Sequence, residues 1–201
     1  LSGVEVKIAE DGEILCRGPL VMKGYLNLPE DTAEALKDGW FHTGDIGELT
    51  PEGALKITDR KKALIVLSNG KKVAPMEVES CLKTDPLFTQ VVPWGDNRPY
   101  LSALVVPDCA LLAGLVGKPV PRTSVERAAL CADPAVCKAV EDRIAVLMKA
   151  LAPFKHVRKV YLHPAELTQA AGELTPTLKV KMRIVKEKHG RNLDALYSGK
   201  A

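Results

Sequence analysis

DPAVCKAVEDRIAVLMKAL, residues 133–151, is the stretch of sequence that decides the fold class. Asp133 can cap a helix whose first position is Pro134, and apolar residues then recur at helical spacing. The repeat predicts one apolar helix face, which comprises Val136, Val140, Ile144, Leu147 and Leu151. A face of this kind packs into a protein core, so this part of the chain contains an amphipathic helix.

Strand patterns flank this helix on both sides. FTQVVPWG and YLSALVVPD precede it, and VRKVYLHP follows it, all three rich in β-branched or aromatic residues. A loop around Gly172 and a short basic helix close the sequence. This alternation of strands and helices predicts a small α+β domain.

The beginning of the chain is richer in strand patterns. VEVKI and GEILCRG predict strands, residues 46–49 and 54–58 predict a hairpin, and residues 32–37 predict a short helix. ALIVL and KKVA, on either side of SNG, predict a second hairpin before a helix that starts at Pro75. We therefore predict a β-rich piece at residues 1–59 and an α+β domain at residues 60–201, divided within TDRKK.

Composition and termini limit the class of protein. The 201 residues are 46% hydrophobic, enough for a packed core, and they contain no apolar run long enough to span a membrane. The chain does not begin with Met, which predicts a fragment of a longer protein. Its 5 cysteines include no CxxC pair, so we expect a reduced cytoplasmic protein without a metal site.

Charge divides the chain in two. Residues 1–60 contain 6 basic and 12 acidic side chains, and the rest contain 22 and 13, so the formal charges are −6 and +9. A basic region can bind nucleic acid, an anionic surface or a phosphate-rich small molecule. The basic segment at residues 179–191 contains no aromatic residue for base stacking, which argues against nucleic acid.

Four short segments contain residues that could bind or react. In FHTGD, Asp45 could accept two hydroxyl groups of a ribose, or it could be a turn residue. In TDRKK, Arg60 could bind a phosphate or a sugar, or it could pair with a surface acid. In SNGKK, Gly70 could allow a thin ligand to pass or only form a turn. Lys179 follows the rigid Pro176 loop, where its charge could stabilise a phosphoryl oxygen or lie in water.

The order of these segments is more specific than any one of them. GEILCRGPLVMKGYLN, GWFHTGD, TDRKKALIVLSNGKKVAPMEVE and LTPTLKVKM occur in succession between about residues 12 and 197. They resemble the later core motifs of the adenylate-forming (AMP-forming) acyl-CoA synthetases, and most closely those of long-chain fatty acid–CoA ligases. The resemblance implies the last β-rich piece of a large N-terminal domain, followed by a small mobile α+β domain.

The same resemblance implies a ligase with three substrates. A fatty acid and ATP, bound with Mg²⁺, give an acyl-adenylate and pyrophosphate, and coenzyme A then displaces AMP. The roles implied are catalysis of adenylation by Lys179, nucleotide binding by Asp45 and Arg60, a hinge at Lys62, and coenzyme A binding by Gly70, Lys71 and Lys72.

The sequence departs from the common family pattern at three positions. Asp59 and Leu178 stand where many members of the family have glycine, and long-chain members share both of these departures. Met182 replaces a residue that is usually basic. No phosphate-binding loop or magnesium-binding acid of the family occurs in these residues. We therefore expect ATP and Mg²⁺ to be bound mainly by an N-terminal part, and the fragment alone to be inactive.

Two alternatives stay open at this level. One is an acyl-AMP ligase that delivers its product to a carrier protein, and the other is a non-catalytic basic module that binds an anionic partner. The expected partners are the small-molecule substrates and the protein's own N-terminal domain, without nucleic acid. Acyl chain length, oligomeric state and peripheral membrane contact are not determined by these residues.

Overall fold

The chain forms two compact units, Leu1–Leu64 and Ile65–Ala201, in a computed structural model that describes residues 2–198. Strands dominate the first unit, whereas the second contains both strands and most of the helices. The predicted α+β class, with a β-rich piece first, is therefore confirmed. The assignment of residues 1–59 and 60–201 as domains stays a prediction.

The first unit is an antiparallel sheet with the strand order β1-β2-β3-β4. Its elements are β1 (Glu5–Ile8), β2 (Glu13–Arg17), helix α1 (Pro29–Ala35), β3 (Phe41–Leu49) and β4 (Leu55–Arg60). Strand β3 begins earlier than the sequence pattern predicts, so the whole of FHTGD belongs to it. Helix α1 also begins earlier, because Pro29 suits the first helical turn.

The second unit begins with a hairpin and contains a sheet of three strands. The hairpin and the following helix are β5 (Ile65–Val66), β6 (Lys72–Val73) and α2 (Pro75–Leu82). The sheet consists of β7 (Phe88–Trp94), β8 (Leu101–Pro107) and β9 (Val157–Leu162). Its central strand β8 is antiparallel to β7 and parallel to β9. The parallel pairing requires a long crossover, which comprises α3 (Cys109–Leu115), α4 (Ser124–Ala132) and α5 (Pro134–Leu147).

Two hydrophobic clusters cover opposite faces of this sheet. Strand β8 contributes Ala103 and Val105 to one cluster and Leu104 and Val106 to the other, as alternating side chains must. The first cluster contains the apolar face of α5, which confirms a helix capped by Asp133. The helix ends at Leu147, so the prediction is wrong for Leu151, which follows the 3₁₀ turn Met148–Ala150 and still packs against the cluster. The second contains the buried face of the last helix, α6 (Met182–Ala195), together with Leu174. The segment that carries Lys179 therefore starts from the second core.

No helix within residues 2–198 combines the length and the apolar composition that a bilayer crossing requires.

Candidate functional site

The predicted nucleotide residues Asp45 and Arg60 lie opposite each other on neighbouring strands. Asp45 of β3 pairs in register with Arg60 of β4, and Arg60 Nε lies 3.3 Å from Asp45 Oδ1. The Asp45 side chain is 28% exposed and that of Arg60 is 76% exposed, so solvent reaches both groups. An exposed pair of this kind contributes little to stability, which leaves its carboxylate and guanidinium available for a ligand. The structure thus brings these two residues together, and their role in nucleotide binding stays a prediction.

The backbone before Asp45 is held by side chains of its own and the neighbouring strand. Gly44 has φ +71°, a conformation that L side chains rarely adopt, and its N–H donates to Glu13 Oε1 over 2.9 Å. Thr43 Oγ1 donates to the Ile14 carbonyl over 2.7 Å and accepts from the Asp45 N–H over 3.1 Å. These bonds fix the direction in which the Asp45 carboxylate leaves the strand.

Glu13 organises this part of the first unit, although no sequence pattern marks it as a site residue. Its buried carboxylate lies 2.9 Å from His42 Nδ1 and accepts from Lys61 Nζ over 2.8 Å, in addition to the Gly44 N–H. Burial would raise the pKa of Glu13, but these three hydrogen bonds outweigh it and hold the pKa below its ordinary value. An acid at the start of a strand usually faces solvent, so only the tertiary contacts reveal this role.

Lys61, which follows Arg60, is engaged in ion pairs within the first unit. Its ammonium bridges Asp11 Oδ2 at 2.7 Å and Glu13 Oε2 at 2.8 Å, and hydrogen bonds from Lys61 to Asp11 and then Glu13 raise the lysine pKa. Lys62, the predicted hinge, is exposed in the short 3₁₀ turn Lys61–Ala63. The compact units divide just after this turn, at Leu64. The hinge role of Lys62 stays a prediction.

The predicted coenzyme A residues lie on the β5–β6 hairpin of the second unit. Gly70 has φ +77° at the turn, and the turn is closed by hydrogen bonds from Leu67 N–H to Lys71 O and from Gly70 N–H to Leu67 O. A Cβ at Gly70 would meet no atom within 4 Å, so the space beside it is open. Lys71 and Lys72 are exposed, and Lys71 Nζ lies 5.7 Å from the centre of the Phe154 ring.

Lys179 lies on a closed loop of the second unit. Leu174 and Val180 form an isolated antiparallel bridge, and Thr175 N–H donates to Lys179 O over 2.8 Å. The Lys179 N–H donates in turn to Thr175 Oγ1 over 3.0 Å, so the backbone of the lysine is held from both sides. The side chain is exposed, and no hydrogen-bond or ion-pair partner for its ammonium occurs within residues 2–198. The loop therefore fixes the lysine backbone and leaves its charge free to meet a ligand.

Leu178 adopts φ +60° at the tip of this loop. A bulky residue rarely has a positive φ, and it keeps one only where the surrounding bonds enforce it. Glycine would adopt this conformation without strain, so Leu178 is a strained position of the loop.

The chain matches one family of enzymes over its second unit. Residues 62–200 match the AMP-binding enzyme C-terminal domain. The long-chain-fatty-acid–CoA ligase FadD15 of Mycobacterium tuberculosis is 37% identical over 196 residues, which are 98% of this chain and 33% of the ligase. Long-chain-fatty-acid–CoA ligase 1 of Homo sapiens is 40% identical over 192 residues, which are 94% of this chain and 27% of that protein.

Solved structures support the same relationship. The A-PCP didomain of carboxylic acid reductase from Segniliparus rugosus, in complex with AMP, has a TM-score of 0.75 and 26% identity, over 98% of this chain and 28% of that chain. Unliganded O-succinylbenzoate coenzyme A synthetase from Bacillus subtilis has a TM-score of 0.57 and 27% identity, over 81% of this chain and 32% of that chain. The chain thus spans about a third of the proteins it matches. The resemblance to long-chain fatty acid–CoA ligases, predicted from four motifs, is confirmed.

Proposed function

We propose that these residues form the C-terminal part of a long-chain fatty acid–CoA ligase. The premise is that the chain belongs to the AMP-binding enzyme family and contains its C-terminal domain. The substrates of the whole enzyme are ATP, a fatty acid and coenzyme A. The names of the similar proteins support this substrate class. A cytoplasmic location belongs to the same proposal and is supported by 5 free cysteines.

The proposed reaction has two steps. First, a carboxylate oxygen of the fatty acid attacks the α-phosphorus of ATP, a new oxygen–phosphorus bond forms, and pyrophosphate leaves with the electron pair of the broken bond. Second, the sulfur of coenzyme A attacks the acyl carbon, and AMP leaves with the electron pair of the broken carbon–oxygen bond. The thiol proton passes to solvent. Atoms and charge therefore balance without a redox partner.

In the first step, Lys179 supplies the positive charge. Negative charge increases on the phosphoryl oxygens as the carboxylate approaches, and an ammonium fixed in advance stabilises that charge without reorganisation. The observation that carries the proposal is that Lys179 combines a hydrogen-bonded backbone with an exposed side chain that has no partner within residues 2–198. Asp45 accepts the ribose hydroxyls in this proposal, and Arg60 assists at the same sugar.

In the second step, the second unit rotates about Lys62, so that Lys179 withdraws and the β5–β6 hairpin approaches the acyl-adenylate. The open space beside Gly70 admits the pantetheine arm, and Lys71 and Lys72 contact the phosphates of coenzyme A. Within residues 2–198, no group of three or more His, Cys, Asp or Glu side chains is placed to hold one metal ion.

The test replaces Lys179 by alanine in the full-length protein. We expect fatty acid–dependent exchange of pyrophosphate into ATP to fall by about a hundredfold or more, because a charge contact made in the transition state is lost. Lys186→Ala is the matched control, since Lys186 is an exposed lysine on α6 and should leave the exchange rate unchanged.

An adenylation rate within about tenfold of the unsubstituted protein would remove Lys179 from the proposed role. Transfer of the acyl group to a carrier phosphopantetheine, without transfer to free coenzyme A, would favour the acyl-AMP ligase instead.

A further inference from the structure

Glu173 is the buried acid at the base of the Lys179 loop. Its N–H donates to Thr168 O over 3.0 Å, and its own carbonyl accepts from Lys181 N–H over 2.8 Å. The following residue, Leu174, belongs to the second hydrophobic cluster. Both ends of the loop that carries Lys179 are therefore fastened at or beside this one residue.

The Glu173 side chain ties the loop to helix α6. The residue is only 4% exposed. One carboxylate oxygen accepts from Lys188 Nζ over 3.1 Å and lies 3.4 Å from His189 Nε2, and the other accepts from Thr168 N–H over 3.1 Å. Lys188 Nζ also donates to Ala171 O over 2.7 Å, so it fastens the chain just before Glu173 as well. Burial would raise the pKa of Glu173, but these bonds hold it below its ordinary value.

Helix α6 is itself fixed against the sheet. Val185 and Leu193 are fully buried in the same cluster as Leu104 and Val106 of β8. A continuous path of contacts therefore runs from the sheet through α6 and the Glu173 carboxylate to the loop. The exposed tip, where Leu178 has its unfavourable positive φ, depends on this path for its conformation.

We propose that Glu173 is a positioning residue for Lys179, and that its buried carboxylate holds the lysine loop in register with α6 during adenylation. The inference rests on the proposed function. Glu173 touches no substrate, and it acts through the loop backbone.

The chemistry of the carboxylate explains why a similar neutral side chain should not replace it. Three donors converge on Glu173, from Thr168, Lys188 and His189. Glutamine has nearly the same shape, but one of its two terminal groups is a donor and would face another donor. Because the side chain is buried, the loss of one acceptor oxygen should let the Lys179 loop shift. A small displacement of a catalytic group such as Lys179 lowers the rate of adenylation steeply.

The experiment measures the two half-reactions of the full-length protein with Glu173→Gln. We expect pyrophosphate exchange to fall by about tenfold to a hundredfold, as for a misplaced catalytic group. Thioester formation from chemically prepared acyl-adenylate and coenzyme A should stay within about twofold, because that step does not use Lys179. A purely structural role would lower both rates together.

Glu187→Gln is the matched control. Glu187 is an exposed acid on the same helix, paired with Arg183, and its replacement should change neither rate. Lys188→Gln is the second variant. Lys188 is partly exposed, and its substitution removes only one of the three donors to Glu173. We expect it to lower exchange alone, by about threefold to tenfold.

The outcomes separate the two proposals. If Lys179→Ala impairs exchange but Glu173→Gln changes neither half-reaction, or lowers both equally, the positioning role is wrong and the proposed function stands. If Lys179→Ala leaves exchange intact, the proposed role of Lys179 is wrong, and the positioning role of Glu173 is wrong with it. If Glu173→Gln does not fold, Lys188→Gln decides, and equal or absent effects on its two rates overturn the inference.

Discussion

Two residues with positive φ, Gly70 and Leu178, show how a single position connects conformation with the proposed chemistry. Gly70 has φ +77° in the hairpin, and Leu178 has φ +60° in the lysine loop. Glycine adopts this conformation without strain, whereas leucine does so at a cost of about 1 kcal/mol or more. Leu178 is also 68% exposed, so burial of its side chain offsets little of that cost. The loop bonds around Lys179 must supply the difference.

Replacing Gly70 by alanine should separate conformational cost from ligand access. The unfolding free energy should fall by about 1 kcal/mol, because the new Cβ meets no atom within 4 Å and only the backbone conformation is penalised. Thioester formation should fall further than adenylation, since the methyl group occupies the proposed path of pantetheine. Denaturant unfolding and the two half-reaction rates measure these effects.

Gly117→Ala is the control for Gly70→Ala. Gly117 has φ +66° and is exposed, and a Cβ added to it would likewise meet no atom within 4 Å. We expect the same loss of stability and no selective effect on thioester formation. Equal effects of the two variants on both half-reactions would exclude a steric role for Gly70.

At the level of elements, the long crossover between β8 and β9 is the part that sequence patterns described least. Helix α5 was predicted from its cap and apolar face, but α3 and α4 were not predicted. Signals for both exist: Asp108 accepts from two N–H groups of α3, and Thr123 and Glu126 form a capping box at α4. These helices have only 7 and 9 residues, so their apolar patterns are too short to distinguish from loop.

Asp85 fastens α5 to the turn before β7. Its buried carboxylate accepts from Leu87 N–H over 3.0 Å and from Arg143 Nε, on α5, over 2.6 Å. Burial would raise the pKa of Asp85, but these two bonds hold it below its ordinary value of 3.8. The carboxylate therefore stabilises the folded state only while it is ionised.

Replacing Asp85 by asparagine should lower the unfolding free energy of the second unit by about 1–3 kcal/mol at neutral pH. Because the folded pKa is depressed, the contribution is complete above the ordinary pKa of 3.8 and is lost as the pH falls through the lower folded value. Chemical unfolding of both proteins at several pH values should show the difference shrinking only in acid.

Asp142→Asn provides the comparison for Asp85→Asn. Asp142 pairs with Lys138 on the exposed side of the same helix, and a pair that solvent screens in this way contributes little to stability. A similar loss in both variants, or a difference for Asp85→Asn that does not diminish in acid, would contradict the role given to Asp85.

At the scale of the whole molecule, the two units differ in how much core they contain. Both hydrophobic clusters lie entirely within residues 65–198. Among the described residues of the first unit, the buried hydrophobic side chains are Ile14 and Leu15, while Leu20, Leu26 and Ile57 are exposed. A sheet with so little apolar burial cannot offset the conformational entropy of folding. This agrees with the proposal that the first unit belongs to a larger domain.

The second unit should therefore fold alone, and the first should not. We expect residues 65–201 to unfold in one cooperative thermal transition when produced separately, because both cores are retained. Residues 1–64 should show no cooperative transition. Circular dichroism during heating measures both. A cooperative transition in residues 1–64, or the absence of one in residues 65–201, would contradict the assignment of both cores to the second unit.

The sequence by itself determined the α+β class, the apolar face of α5 and the membership of an enzyme family. It also predicted that Asp45 and Arg60 act at one place, and the structure brings them into contact. These results were accessible because helical periodicity, caps and the order of motifs are properties of the chain read in succession. The roles of Lys179, Lys62 and Gly70 rest on the same motifs and stay predictions.

Only the tertiary structure decided which charges are neutralised in the interior. Glu13 binds Lys61, Asp85 binds Arg143, and Glu173 binds Lys188, across separations of 48, 58 and 15 residues. A buried carboxylate requires partners wherever the fold supplies them, and a linear pattern does not contain that information. For this reason Glu13, Asp85 and Glu173 could not be recognised from the sequence pattern. Asp45 and Lys179 could be, and they lie on the strand and the loop that are hydrogen-bonded to Glu13 and Glu173.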